Sequence, residues 1–192
     1  MSGDARGAAV SGRAPRSGIG LLWVLASTFG WIAGLYVVQS SETDQAGPVI
    51  GLILGAAQWA VLRKRVRRSG WWVWATAAGW SIGSSLGQTT AGLPGVAAAL
   101  VTGALLGLAM GAAQWPVLRG SVPEAIWWVP ASAGAWALTW VATWLMDQSA
   151  IPGSSAESFL PAVGIMIGII SAYPLVRLLA GASRPIEIND LH

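Results

Sequence analysis

A thirteen-residue pattern occurs twice in this chain, 56 residues apart and without a gap. Gly51-x3-Gly55-x2-Gln58-Trp59-x-Val61-Leu62-Arg63 returns as Gly107-x3-Gly111-x2-Gln114-Trp115-x-Val117-Leu118-Arg119. The register holds through Trp71-Trp72-Val73 and Trp127-Trp128-Val129, then Trp80 and Trp136. A duplication of this length implies that one supersecondary unit is built more than once and that its copies pack on one another. A third set lies upstream, where Trp23, Ser27, Gly30 and Trp31 match Trp72, Thr76, Gly79 and Trp80.

Composition decides the solvent. The 192 residues are 54% hydrophobic and 10% charged, with mean hydropathy +0.59. Soluble domains carry about a quarter charged residues. Six apolar segments, at 19–38, 47–63, 71–89, 94–118, 125–146 and 159–179, each approach the roughly 20 residues of helix that span a bilayer core. The expected fold class is an all-α integral membrane protein whose six transmembrane helices form three pseudo-repeated hairpins. The expected divisions are a flexible tail at 1–17, hairpin repeats at 18–66, 67–121 and 122–180, and a second tail at 181–192. The third repeat is degenerate: Gly164 and Gly168 are kept, Ser171 replaces Gln, and Tyr173-Pro174-Leu175-Val176-Arg177 aligns with Trp115 to Arg119 only by inserting one residue.

Charge predicts orientation. All eleven Lys and Arg fall on the tails or the loops after even-numbered segments, whereas Glu42, Asp44, Asp147 and Glu157 occupy the other loops. The positive-inside rule then puts both termini in the cytoplasm and the chain in the cell membrane.

Gly51, Gly55, Gln58 and Leu62 recur at i, i+4, i+7 and i+11 and so share one helix face. Gly103, Gly107, Gly111 and Gln114 repeat that face, and Gly164 and Gly168 belong to the third copy. On the odd-numbered segments the small-residue stripes run through Gly30 and Gly34, and through Gly79 and Gly83. Small residues four apart let backbones approach closely in lipid. The structural reading is helix packing; the alternative is room for a flat ligand.

Gln58 and Gln114 need hydrogen-bond partners, because an unpaired polar group in hydrocarbon costs several kcal/mol. Ser27, Thr76 and Ser132 lie at a similar depth, so an interhelical polar layer of Gln58, Gln114, Ser171, Ser27, Thr76 and Ser132 is expected. Its alternative role is to line a path or orient a ligand. Trp23, Trp59, Trp71, Trp72, Trp115, Trp127 and Trp128 read as an interfacial belt near the basic side. The deeper Trp31, Trp80 and Trp136 read either as packing against glycine or as an aromatic wall for a carotenoid, quinone or lipid tail. Arg63, Lys64, Arg65, Arg67 and Arg68 serve as a topological stop signal or as an anionic-lipid surface.

Several chemistries are excluded. There is no Cys, and the only His is His192. No ionisable residue lies in the interior of a span, where proton relays and ion-coupled transport need one. No phosphate loop or nucleophile–base arrangement is present. An enzyme, a metal site and a nucleic-acid partner are not expected.

The repeated Gly-x3-Gly-x2-Gln-Trp-x-Val-Leu-Arg with Trp-Trp-Val-x-Ala resembles a group of uncharacterised bacterial multi-pass membrane proteins. The resemblance covers most of residues 20–145 and implies the repeat but no activity. Together these observations predict a non-enzymatic membrane scaffold or accessory subunit whose partners are membrane lipids and other membrane subunits or itself. The glycine stripes on every helix motivate a partner. The alternative is a passive channel or carrier for a small neutral or apolar solute.

Overall fold

The computed structural model describes residues 16–41, 46–149 and 160–181. The two tails therefore lie outside the described residues, apart from the first turn of the first helix and the last residue of the final one, as do Glu42, Asp44 and Glu157. Six helices follow one another: α1 (Arg16–Ser40), α2 (Ala46–Leu62), α3 (Trp71–Gln88), α4 (Gly95–Leu118), α5 (Trp128–Gln148) and α6 (Leu160–Gly181). A 3-10 turn, Ala125–Trp127, leads into α5. α1, α4 and α6 contain stretches long and apolar enough to cross a membrane by length and composition, and α2 is a shorter apolar helix.

Each helix packs against its chain neighbours, and α6 closes the ring on α1. The outward faces carry Leu25, Phe29, Trp74, Ile82, Leu108, Leu138 and Ile169, all exposed. Seven polar side chains of the helices, Ser27, Gln58, Thr76, Gln114, Ser132, Thr139 and Ser171, are buried inward, whereas Gln39, Ser85 and Gln88 near the helix ends are exposed. Apolar outside and polar inside suits a lipid solvent, in which exposed polar groups find no partner.

Glycine sets the spacing. A Cβ on Gly51 would stand 2.6 Å from Ala77 Cα, and one on Gly55 would stand 3.0 Å from Val73 Cα. Gly111 meets Val129, and Gly107 meets Ala133 at 2.6 Å. Gly164 and Gly168 meet Thr28 and Val24 in the same way, at 2.9 and 2.7 Å. Each even-numbered helix thus lies directly on the next odd-numbered backbone, α2 on α3, α4 on α5 and α6 on α1. Within the first two hairpins Gly30 and Gly34 face Leu54 and Ile50, and Gly79 and Gly83 face Met110 and Leu106.

The third copy keeps this pattern on its even-numbered helix and departs from it on its odd-numbered one. The inserted residue expected from sequence is not present in the packing register. Gly164, Gly168, Ser171 and Leu175 keep the i, i+4, i+7, i+11 face, and Leu62, Leu118 and Leu175 are equally buried at 0–1% exposure. Aligning on Pro and Arg misled the reading, because helix faces are kept by spacing and not by the identity of surface residues. The departure is at the glycines of the odd helix. Gly30 and Gly34, or Gly79 and Gly83, become Ala135 and Thr139 in α5. Side chains thus stand where the other two copies have glycine, and α5 against α6 is the loosest seam of the ring.

Candidate functional site

The axis of the ring is filled by two tryptophan triads. Trp23, Trp72 and Trp128 meet with ring centroids 5.9–6.2 Å apart. Trp31, Trp80 and Trp136 meet at 5.1–6.2 Å. Each triad takes one tryptophan from each odd-numbered helix, so the three repeats are arranged around a pseudo-threefold axis. Edge-to-face and tilted contacts of this kind are the favoured geometries for aromatic pairs.

The first triad corrects the sequence reading. Trp23, Trp72 and Trp128 are 0–3% exposed and form no interfacial belt. Trp71 and Trp127 do face outward, each 65% exposed. Adjacent residues on a helix point about 100° apart, so a Trp-Trp pair cannot share one environment.

The polar layer surrounds this triad. Gln58 donates from Nε2 to Ser27 Oγ at 3.2 Å and accepts the Trp72 indole N–H on Oε1 at 3.0 Å. Gln114 repeats the pattern, donating to Thr76 Oγ1 at 2.9 Å and accepting from Trp128 at 2.8 Å. Each glutamine therefore joins three successive helices. In the third copy Ser171 Oγ accepts the Trp23 indole N–H at 2.9 Å and donates to the Ile167 carbonyl at 2.5 Å. The shorter side chain leaves a cavity of about 20 Å³ lined by Gln58, Gln114, Ser132, Ser171 and tryptophans of both triads. Sequence reasoning paired Gln with Ser and Thr but missed the indoles. The signal was present, since Trp72 and Trp128 each follow their glutamine by 14 residues.

Trp31, Trp80 and Trp136 pack on one another at 4–6% exposure. As a set they plug the axis, and Trp31 also lines an outer cavity. The glycines of the packing set, Gly30, Gly34, Gly51, Gly55, Gly79, Gly83, Gly103, Gly107, Gly111, Gly164 and Gly168, all meet a neighbouring helix of this same bundle within 3.2 Å of an added Cβ. The stripes on every helix therefore do not call for a partner: a closed ring has twice as many interfaces to fill as three separate hairpins.

Outside the axis, a groove of about 700 Å³ runs between α3 and α4 at their basic end. It is lined by Arg67, Arg68 and Arg119 beyond the helix ends, and by Trp71, Trp74, Ala75, Ala78 and Ala113 along the helices. Ser121 Oγ accepts the backbone N–H of Arg67 at 2.9 Å and so ties the loop after α2 to the loop after α4. Arg68 takes a left-handed backbone, φ 55°, which a non-glycine residue adopts at a cost of about 1–2 kcal/mol. That turn lies between Val66 and Trp71, where Arg67 and Arg68 line the groove. Of the predicted basic surface, Arg63, Lys64 and Arg65 are exposed beside α2 and do not line it. Arg119 does line it and was not among the predicted site residues; its guanidinium lies 5.0 Å from the Trp115 ring centroid.

No protein-family model, curated protein or solved structure matches this chain. Its function is therefore argued from the geometry alone. The described residues hold no group of three or more His, Cys, Asp or Glu that could bind a metal.

Proposed function

We propose that this chain is a non-enzymatic integral membrane scaffold that holds an anionic lipid in the α3/α4 groove. All six helices cross the bilayer in this reading, with both termini on the arginine side in the cytoplasm of the cell. The observation that carries the proposal is the groove itself, with three arginines at one end and an indole and alanine trough below them. A phosphate headgroup matches the arginine forks, and guanidinium is the side chain best suited to such planar, multiple hydrogen bonding. The acyl chain lies along Trp74 and the alanines, where apolar contact continues into the bilayer.

As an accessory subunit the protein would share this lipid with a neighbouring membrane protein, since its glycine stripes are used within its own bundle. The filled axis argues against the alternative of a passive channel: two tryptophan triads leave only about 20 Å³ among the polar layer.

Native mass spectrometry after purification in mild detergent tests the reading. Phosphatidylglycerol should remain bound in preference to phosphatidylcholine, and replacing Arg67, Arg68 and Arg119 together by Gln should remove the preference. Displacement by inorganic phosphate alone would identify a free anion site and overturn the lipid reading, as would equal retention of the two lipids.

A further inference from the structure

A second cavity lies at the opposite end of the bundle from the arginines, among the start of α4, the end of α5 and the start of α6. It measures about 460 Å³. Ligand sites run from about 300 to 1,000 Å³. Three tryptophans line it, Trp31, Trp140 and Trp144, together with one carboxylate, Asp147. Gly95 starts α4 in a left-handed backbone at φ 49°, and Trp144 lies 3.5 Å from where its Cβ would be.

Two of these indoles belong to the third copy alone. Trp136, Trp140, Trp144 and Asp147 follow at i, i+4, i+8 and i+11, along one face of α5. Trp136 has counterparts in Trp31 and Trp80 and helps to close the axis. At the positions of Trp140 and Trp144 the first copy has Leu35 and Gln39, and the second has Ser84 and Gln88. Two copies complete their hairpins without these indoles, so the ring does not require them. They are no interfacial belt either. Trp71 and Trp127 are 65% exposed, whereas Trp140 and Trp144 are half-buried and line the cavity. Charge is lopsided here as well. Asp147 is the only charged side chain lining the cavity among the described residues. The segments 41–45, 89–94 and 149–159, which connect the helices at this end, contain no Lys or Arg to neutralise it.

We infer that this cavity binds a free quaternary ammonium compound. Indole rings attract cations through their quadrupole, and quaternary ammonium is the group that tryptophan-lined sites recognise. Such a group has no N–H donor to satisfy, and its charge is spread over alkyl groups that suit apolar walls. Asp147 supplies the opposite charge. A calcium ion does not fit, since it takes roughly six to eight oxygen ligands. The lining side chains offer only the Asp147 carboxylate and the hydroxyls of Thr102 and Thr143. A choline phospholipid is disfavoured, because its phosphate would stand beside that carboxylate. The two sites therefore sort ligands by charge: arginines take an anion at one end, and indoles with a carboxylate take a cation at the other.

The test uses the full chain in uncharged maltoside micelles, labelled with fluorotryptophan, and hexyltrimethylammonium as probe. Trp144→Tyr identifies the Trp144 fluorine resonance by its loss. Titration with the probe should move that resonance, and the uncharged isostere with carbon in place of nitrogen should leave it still. In equilibrium dialysis Trp144→Leu should weaken binding about fivefold, while Trp144→Tyr, which keeps an aromatic face, should restore most of it. Asp147→Asn should weaken binding about threefold at low salt and less at high salt, because a charge near water is screened. Replacing Arg67, Arg68 and Arg119 by Gln should change nothing, which separates this site from the α3/α4 groove. An unmoved Trp144 resonance, or equal movement with the uncharged isostere, would overturn the inference. So would equal binding of hexylammonium, or displacement of the probe by phosphatidylcholine.

Discussion

The indole N–H of Trp128 donates to Gln114 Oε1 at 2.8 Å, across two helices that belong to different repeats. The same bond joins Trp72 to Gln58 one repeat earlier. A glutamine amide has an acceptor oxygen and a donor nitrogen. Here the oxygen takes the indole of the following helix and the nitrogen serves the hydroxyl of the preceding one. That two-sided use converts three hairpins into one ring.

Replacing Gln114 with Leu removes the acceptor for Trp128 and the donor to Thr76 and leaves the Trp128 N–H buried. We expect a loss of about 1–3 kcal/mol in reversible unfolding in mixed micelles. A double-mutant cycle with Trp128→Phe should return a coupling near 0.6–1.7 kcal/mol, the range of interhelical hydrogen bonds in lipid. A coupling indistinguishable from zero would mean that the bond contributes nothing to the ring.

Two glycine-to-alanine variants should move stability in opposite directions. At Gly107 the added methyl meets backbone of α5, with Ala133 Cα at 2.6 Å, and backbone cannot rotate away. Overpacking of this kind costs about 1–3 kcal/mol. At Gly134 nothing lies within 4 Å, so alanine should be neutral or add up to about 1 kcal/mol through helix propensity. Thermal unfolding monitored by circular dichroism distinguishes the pair, and equal effects would contradict the close approach of α4 and α5.

The 20 Å³ cavity beside Ser132 and Ser171 should hold one water, since it is polar and about the size one water needs. Ser171→Gln should displace that water, bring an amide nitrogen to Ser132 and an oxygen to Trp23, and raise stability by about 1 kcal/mol. A fall in stability would show that the third repeat has adapted its packing to serine.

The chain has no cysteine, so single-cysteine labelling reports topology without background. Arg119→Cys and Arg67→Cys should react with an impermeant maleimide only from the cytoplasmic face, and Asp147→Cys only from the opposite face. Labelling of all three from one side would exclude the six-span arrangement.

Much of the fold was legible because helix faces are written at fixed spacing. The apolar segments, the glycine stripes and the depth of Gln58 and Gln114 all follow from periods of three and four residues, and the segment limits at 71 and 118 agree with the helices to within a residue. The tryptophans were harder. Trp71 and Trp72 are identical in type and adjacent, yet one is 65% exposed and the other 0%. Hydropathy cannot separate them; only the azimuth of the helix in the ring does. The groove was half legible, because Arg67 and Arg68 stand in an evident basic run whereas Arg119 joins them only through the meeting of two loops at Ser121 and Arg67.

Repetition of apolar helical segments, and the faces that carry glycine and glutamine, can be read from the order of residues without any tertiary contact. These are local properties, set by composition and by a 3.6-residue period that needs no partner to be read. The tertiary structure alone decided that the hairpins close into a ring, that two tryptophan triads fill its axis, and that every glycine stripe is consumed within it. It also decided where the symmetry fails, at the loose seam between α5 and α6, where Ala135 and Thr139 stand in place of glycines. Closure is a relation between residues more than a hundred positions apart, as in Trp23 and Ser171, and no local period encodes it.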